Sequence, residues 1–309
     1  MESKIRVGVV GVGYLGQHHA RIYNELEDAD LIGVCDIDEK RGKEIADKYN
    51  TKYFQDYKGI YDKVSAVSIA TPTNTHYDIA SYFLNRGVDT LVEKPITNTP
   101  ENAEELISLS DKNSCILQVG HIERYNPAVK KASEYINNPK FIEVNRLSAF
   151  PSRSLDIGVV LDLMIHDIDV ILSFVKSPIK SINSIGASVF SDKEDIANSR
   201  IEFDNGCVSN ITASRISYKS ERKFRVFQPS SYLSLDYEKQ EFVLYRKKKQ
   251  KVKSPSEIEK IIPQFEKTEP LREEIQDFIN CISRKRKPKV SGYHGLTALR
   301  VALEISNKI

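Results

Sequence analysis

Along its first 120 residues the chain alternates short, strongly apolar runs with longer stretches whose apolar positions recur at helical spacing. The runs at 5–10, 31–35, 64–70, 90–92 and 115–119 read as strands buried on both faces. Between them, 17–26, 38–49, 75–86 and 100–112 read as amphipathic helices. A buried strand followed by a crossover helix, repeated several times, is the pattern of a parallel sheet. Asn74 and Thr99 stand where helix N-caps are needed, and Pro100 suits a first helical position.

After Gly120 the pattern changes to alternation with period two. Segments 141–148, 182–189, 196–203, 207–216, 224–227, 232–235 and 242–245 read as strands joined by short connections, and Asp204-Asn205-Gly206 is a strong hairpin turn between two of them. Helical stretches at 161–174, 271–283 and 295–306 accompany this sheet. The change of pattern divides the chain into residues 1–121 and 122–309. The expected fold class is α/β, with a parallel-sheet N-terminal half and a C-terminal half built on a large, mostly antiparallel sheet.

The first strand runs into Gly11-Val12-Gly13-Tyr14-Leu15-Gly16, and Asp36 ends the second. This is a dinucleotide-binding fingerprint in its required strand, turn and helix context. Gly11 permits the tight turn, Gly13 lets the backbone approach a pyrophosphate, and Gly16 lets the helix pack closely on the strand. Tyr14 and Leu15 complete the turn, and the helix N-terminus faces the phosphates. Asp36 is placed to accept hydrogen bonds from a ribose and repels a 2′-phosphate, so NAD is expected over NADP, although Lys40 and Arg41 lie close by. The N-terminal half is therefore expected to be a Rossmann domain.

Composition narrows the class. With 309 residues and 40% hydrophobic content there is material for two cores. Lys and Arg number 45 against 43 acidic residues, which gives no global electrostatic case for nucleic acid or a membrane surface. Cys35, Cys115, Cys207 and Cys281 are scattered without a CxxC pair, so neither a zinc site nor a disulfide framework is indicated. No apolar run has the length of a signal core or a membrane span, and a cytoplasmic protein without stable membrane association is expected. The basic runs 246–253 and 284–287 read as a solvated loop and a helix end, or as a docking surface for an acidic partner.

In an open parallel sheet, ligands lie beyond the carboxyl ends of the strands, which singles out three places in the first half. Thr71, Pro72, Asn74 and His76 follow the third strand and either line a nucleotide or serve the turn and the helix start. Glu93-Lys94-Pro95 follows the fourth, and alternation sends Glu93 and Lys94 to opposite faces. Lys94 then either points into the crevice, where it can hydrogen-bond or exchange a proton with a substrate hydroxyl, or pairs with Glu93 on an exposed loop. The third place, Gly120 to Pro127, offers Arg124, Tyr125 and Asn126 either to a substrate or to an ordinary polar chain reversal.

In the second half, Asp162 and His166 lie four apart in an apolar helix. A carboxylate one turn from an imidazole sets its tautomer, which suits a general base; the same spacing also fits two metal ligands, but no third ligand is evident and no metal is expected. Asp167 and Asp169 read as capping or solvent-facing residues.

Taken together, GVGYLG, Asp36, ATPTNTH, EKP, GHIERYNP and DLMIHDID resemble, in order and over nearly the whole chain, the Gfo/Idh/MocA family of oxidoreductases. That resemblance implies an N-terminal NAD(P)-binding Rossmann domain, and a C-terminal α/β domain that binds substrate and whose open sheet commonly joins subunits into a homodimer or homotetramer. It implies hydride transfer between NAD, or less often NADP, and a sugar or cyclitol carbon. By it, Lys94 orients the reacting hydroxyl, His166 is the general base, Asp162 belongs to the same group, and the Lys94-Pro95 bond is expected to be cis. Thr212-Ala213-Ser214-Arg215 and Leu235-Asp236-Tyr237 are most similar to the sugar-nucleotide 3-dehydrogenases within the family. This implies a UDP-sugar substrate, UDP-N-acetylglucosamine foremost, and coupling to a pyridoxal-phosphate aminotransferase that aminates the 3-ketone for lipid A or another surface glycan. Arg124, Arg153 and Arg215 are then the candidates for the diphosphate. The alternatives are an inositol or free-sugar dehydrogenase of the same family, or a non-catalytic NAD-binding regulator.

Overall fold

The computed structural model describes residues 4–150 and 157–309, which form two compact units. The first comprises residues 4–121 and 271–299, and the second the described residues of 122–270 together with 300–309. Residues 271–299, which the sequence pattern assigns to the C-terminal half, thus pack with the first unit.

The first unit is built on strands β1 (Ile5–Val10), β2 (Ala29–Cys35), β3 (Lys52–Phe54), β4 (Ala66–Ile69), β5 (Asp89–Glu93) and β6 (Leu117–Gly120). All are parallel, in the order β3-β2-β1-β4-β5-β6 of a doubly wound dinucleotide-binding sheet. Helices α1 (Gly16–Glu25), α2 (Glu39–Lys48), α3 (His76–Leu84) and α4 (Pro100–Lys112) make the crossovers. Asp38 caps α2 by accepting from the Arg41 amide, and Thr99 caps α4 by accepting from Asn102, with Pro100 at the first helical position. Asn74 does not cap α3; it lies within a short 3-10 turn, Thr73–Thr75, and Thr75 precedes the helix. Strand β3, three residues long, is too short to show alternation and escaped the sequence reading.

The free edge of β6 is covered by the segment 271–299. The helix Pro270–Arg284 buries Leu271, Ile275, Phe278 and Ile279 at helical spacing. Gln118 donates to the Glu274 carbonyl at 2.9 Å, and the Val119 amide to the Val290 carbonyl at 3.0 Å. An edge that offers unpaired amides is thereby closed.

The second unit has α5 (Pro127–Ala132), β7 (Phe141–Leu147), α6 (Ile165–Phe174), β8 (Ile179–Ala187), β9 (Ile196–Phe203), β10 (Val208–Ser214), β11 (Glu221–Gln228), β12 (Ser231–Asp236), β13 (Glu241–Lys247) and β14 (Ile258–Ile261). Of the two later helices, α7 (Pro270–Arg284) from Leu271 on and α8 (Gly292–Ser306) up to Leu299 belong to the first unit. The sheet order is β14-β13-β12-β11-β7-β10-β9-β8, antiparallel except for the central β7/β10 pair. Alternation sends Ile142, Val144, Ile211, Ala213, Phe224 and Val226 into the core. The opposite face carries an aromatic ladder: Phe141 and Phe227, Phe227 and Tyr232, and Tyr232 and Tyr245 have ring centroids 5.5, 4.8 and 6.1 Å apart.

The strand expected at 182–189 stops at Ala187 because Asp195 turns the chain, accepting from the amides of Val189, Phe190 and Ser191. The helix expected over 161–174 begins as a π turn, Val160–Met164. The basic run at 246–253 is partly paired within the unit, Arg246 to Glu259 and Lys249 to Glu257, both at 2.8 Å. The four cysteines are free thiols, and burial pushes Cys35 up to about 12 and the other three to about 11, so none is a thiolate near neutral pH. Among the described residues, no helix is long and apolar enough to cross a membrane.

Candidate active site

Gly11 follows β1 with φ +83°, and a Cβ there would meet the Ala70 carbonyl oxygen and the Thr71 methyl at 2.8 Å. The turn after β1 is therefore backed directly against the turn after β4. A Cβ on Gly16 would stand 1.8 Å from the Gly11 carbonyl oxygen, which is the close helix-to-strand packing expected of the third glycine. Gly13 is different in kind: a Cβ there meets nothing within 4 Å, so its lack of a side chain keeps space open. Helix α1 begins with neither a side-chain cap nor an acidic residue in its first turn, as an anion-binding helix start requires. Tyr14 is exposed and Leu15 half-buried on the same turn.

Asp36, at the end of β2, is buried. Its Oδ2 accepts from the Val12 amide at 2.8 Å and Arg41 Nε at 3.2 Å; Oδ1 accepts from the Asp38 amide at 2.9 Å and Arg41 Nη2 at 2.8 Å. Burial raises its pKa, but Arg41 and the two amides outweigh burial and hold the carboxyl below the usual carboxylate range. The carboxylate is thus ionised and fixed in direction beside the glycine turn. An open approach at Gly13, a bare helix start and a rigid acid at Asp36 fit a dinucleotide with a free ribose diol.

After β4, Thr71 is half-buried while Pro72 and Asn74 are exposed. His76 was expected among the cofactor contacts, but the structure corrects this. It is 1% exposed, with Nδ1 2.8 Å from the Pro95 carbonyl oxygen and Nε2 2.9 Å from the Thr71 carbonyl oxygen, so the ring is spent on protein. After β5, Glu93 turns inward and Lys94 is half-buried; the Lys94-Pro95 bond is cis. Glu93 is not on an exposed loop: its carboxylate is buried against His19, Oε1 to Nε2 3.1 Å, and accepts from the Lys94 amide at 3.3 Å.

In the second unit, Asp162 lies in the π turn, and His166 in the first turn of α6. Both are half-buried. The α-helical spacing argument therefore holds only from Ile165 onward, and the wider turn re-aims the side chains that follow it, an arrangement frequent at functional sites. No group of three or more metal-ligating side chains converges among the described residues.

Asp167 and Asp169 were expected to serve a cap or face solvent, and they do neither. Both are buried, and each holds an arginine: Arg146 Nε lies 2.6 Å from Asp167 Oδ2, and Arg124 Nη1 lies 3.2 Å from Asp169 Oδ1. Arg146 Nη2 also donates to Glu123 at 3.1 Å, and its guanidinium lies 5.0 Å from the centre of the Tyr237 ring. Asn126 is buried and serves the chain reversal, its Oδ1 accepting from the Ala128 amide at 3.0 Å to cap α5 and its Nδ2 donating to the Tyr237 carbonyl at 3.0 Å. Tyr125 is buried as well.

Arg215 is fully buried and donates to Asp195 at 2.8 Å, the Ile157 carbonyl at 2.8 Å and the Ser191 hydroxyl at 2.8 Å. A guanidinium so enclosed is a structural brace, not a diphosphate contact. Arg153 lies outside the described residues.

Sequence reasoning missed His19, the Arg41 fork and Arg146. Two of these carried a signal: His19 shares the buried face of α1 with Ala20, Ile22 and Tyr23, and Arg146 shares the inward register of β7 with Ile142 and Val144. A charged or titratable residue on an apolar face announces a buried partner.

Residues 5–121 match the family model described as an oxidoreductase family with an NAD-binding Rossmann fold, and residues 136–228 match the GFO/IDH/MocA C-terminal domain. The UDP-N-acetylglucosamine 3-dehydrogenase of Acidithiobacillus ferrooxidans is 33% identical over 302 residues, covering 97% of this chain and 96% of that protein. A solved structure of that enzyme superposes with a TM-score of 0.93 at 32% identity, covering 99% of this chain and 98% of the other. The scyllo-inositol 2-dehydrogenase (NAD(+)) of Bacillus subtilis is 26% identical, covering 99% of this chain and 94% of that protein.

Proposed function

The chain belongs to the GFO/IDH/MocA family of NAD-binding oxidoreductases, and from that premise we propose that it oxidises the 3-hydroxyl of UDP-N-acetylglucosamine to the 3-ketone. The carrying observation is the likeness at 33% identity over 97% of the chain to an enzyme of that activity. Lys94 supports it, standing at the carboxyl end of β5, where a parallel sheet presents its ligand-binding groups.

Gly11, Gly13, Gly16 and Asp36 would hold NAD, which when bound supplies the hydride acceptor. In this proposal the Lys94 ammonium hydrogen-bonds the reacting hydroxyl and stabilises negative charge developing on its oxygen. The His166 imidazole takes the hydroxyl proton, and Asp162 belongs to the same substrate and catalytic group. Arg124 and Arg153 would meet the diphosphate, whereas Arg215 is fully buried against Asp195 and would not.

The proposal extends to the setting. A 3-keto sugar is a substrate for a pyridoxal-phosphate aminotransferase, which would yield an amino sugar for lipid A or another surface glycan. The aromatic ladder on the open face of the second sheet suits a contact between copies in a homodimer or homotetramer. Four free thiols suit the reducing cytoplasm.

The test is a substrate panel with NAD⁺, an aminotransferase and glutamate to consume any ketone. UDP-N-acetylglucosamine is expected to give an amino product. Turnover confined to scyllo- or myo-inositol would replace this reading with the polyol dehydrogenase that the Bacillus subtilis relative suggests.

A further inference from the structure

His76 opens α3 with its ring wholly inside the first unit, between two backbone turns. Nδ1 faces the Pro95 carbonyl oxygen at 2.8 Å and Nε2 faces the Thr71 carbonyl oxygen at 2.9 Å. A carbonyl oxygen only accepts, so each contact is a hydrogen bond only when that nitrogen carries a proton. Burial pushes the His76 pKa down, against the two carbonyls and Glu93, which push it up, and Lys94 adds to the lowering.

The positions of those two carbonyls give the contact its meaning. Pro95 follows Lys94 directly across the cis bond, so its carbonyl belongs to the turn that presents the lysine. Thr71 belongs to the turn packed against Gly11. On the other side of Lys94, the Glu93 carboxylate is held by His19 at 3.1 Å and accepts from the Lys94 amide at 3.3 Å. A buried imidazole therefore stands at each end of the lysine turn, His19 against Glu93 and His76 against Pro95, while the Thr75 hydroxyl donates to the Pro72 carbonyl at 2.7 Å and closes the neighbouring turn on itself.

We propose that His76 is a positioning residue for Lys94: its Nδ1–H holds the Pro95 carbonyl and so fixes the turn from which the ammonium is presented, without touching cofactor or substrate. The proposal rests on Lys94 acting at the reacting hydroxyl. Its cost when lost is geometric, since a displacement of about 1 Å in a reacting group can cost on the order of 100-fold in rate.

Two substitutions separate the two contacts. In His76→Asn the amide nitrogen stands where Nδ1 stood; in His76→Gln it stands where Nε2 stood. With NAD⁺ and UDP-N-acetylglucosamine, H76N is expected to keep kcat within about threefold, and H76Q to lose at least about tenfold in kcat with the NAD Kd unchanged within about twofold. Equal losses in both variants, or no loss in H76Q, would overturn the proposal and leave His76 a packing residue. Lys94→Ala is assayed beside them. Wild-type turnover in K94A removes the reading of Lys94 itself, whereas an inactive K94A with no split between the His76 variants removes only this inference. A readout independent of folding and turnover comes from the wild-type protein saturated with NAD⁺ and labelled with ¹⁵N-histidine: a protonated Nδ1 at His76 is expected, and a bare Nδ1 overturns the proposal.

Discussion

Arg146 and Asp167 form a two-point ion pair, Nε to Oδ2 at 2.6 Å and Nη2 to Oδ1 at 3.0 Å, with both side chains buried and the aspartate next in sequence to His166. The same guanidinium holds Glu123, in the turn that begins the second unit. Burial alone would lower the arginine's pKa, but Asp167 and Glu123 outweigh it and hold the charge in place.

Breaking that cluster from one side strands two buried carboxylates. Arg146→Met is expected to destabilise the fold by about 3–5 kcal/mol in urea unfolding. Neutralising all three members, as Arg146→Met with Asp167→Asn and Glu123→Gln, is expected to recover most of that loss, since no unpaired charge then remains. A triple variant no more stable than the single one would show that the charges are not the source of the cost.

The glycine turn offers a paired test of packing against binding. Gly16→Ala puts a methyl group 1.8 Å from the Gly11 carbonyl oxygen and is expected to lower the melting temperature sharply. Gly13→Ala puts it in open space, so the fold is expected to be unchanged while NADH affinity, read by fluorescence titration, drops at least about tenfold through the blocked pyrophosphate approach.

Asp36 is expected to set cofactor choice. Asp36→Ala removes an ionised acceptor from the ribose and is expected to raise the KM for NAD by about tenfold, on the order of 1.5 kcal/mol for a hydrogen bond to a charged group. It also frees Arg41, now held at 2.8 Å, to meet a 2′-phosphate, so the preference for NAD over NADP is expected to narrow. Unchanged KM values for both cofactors would remove Asp36 from the ribose.

Asp89 gives a pH dependence of defined sign. Burial pushes its pKa up to about 6, opposed by a 2.6 Å hydrogen bond from the Ile116 amide. Because the folded-state value is raised, the folded protein binds the proton more tightly than the unfolded chain. The stability this contributes is present below the unfolded carboxyl pKa, about 4, and is lost as pH rises toward about 6. Asp89→Asn keeps an acceptor for Ile116 and is expected to flatten that slope and stabilise the protein at pH 7 by about 1 kcal/mol, read from urea midpoints. An unchanged slope would place the titration elsewhere.

Much of the fold was legible because it rests on local periodicity. The parallel strands, the crossover helices and the hairpin at Asp204-Asn205-Gly206 are each written in adjacent residues. The packing of residues 271–299 onto β6 is not local: it depends on the β6 edge, about 150 residues away, needing cover. In the glycine turn, Gly11 and Gly16 were legible from spacing, because close backbone packing dictates them. Asp167, Asp169 and Arg215 were misread, and His76 and Asn126 left between two readings, for a common reason. Polar residues near a ligand-binding end look alike in sequence, and only tertiary partners show which are spent on the protein: the Thr71 and Pro95 carbonyls, the Ala128 amide, Arg146, Arg124 and Asp195.

The most direct test of the proposed reaction follows one atom. UDP-N-acetylglucosamine carrying deuterium at C3 is incubated with the protein, NAD⁺ and a ketone-consuming aminotransferase, and the NADH is weighed by mass spectrometry. The account predicts NADH heavier by one deuterium, formed by the wild-type protein and not by Lys94→Ala or His166→Ala, although both variants still bind NADH. Unlabelled NADH, or no NADH from this substrate while inositol is oxidised, would contradict it.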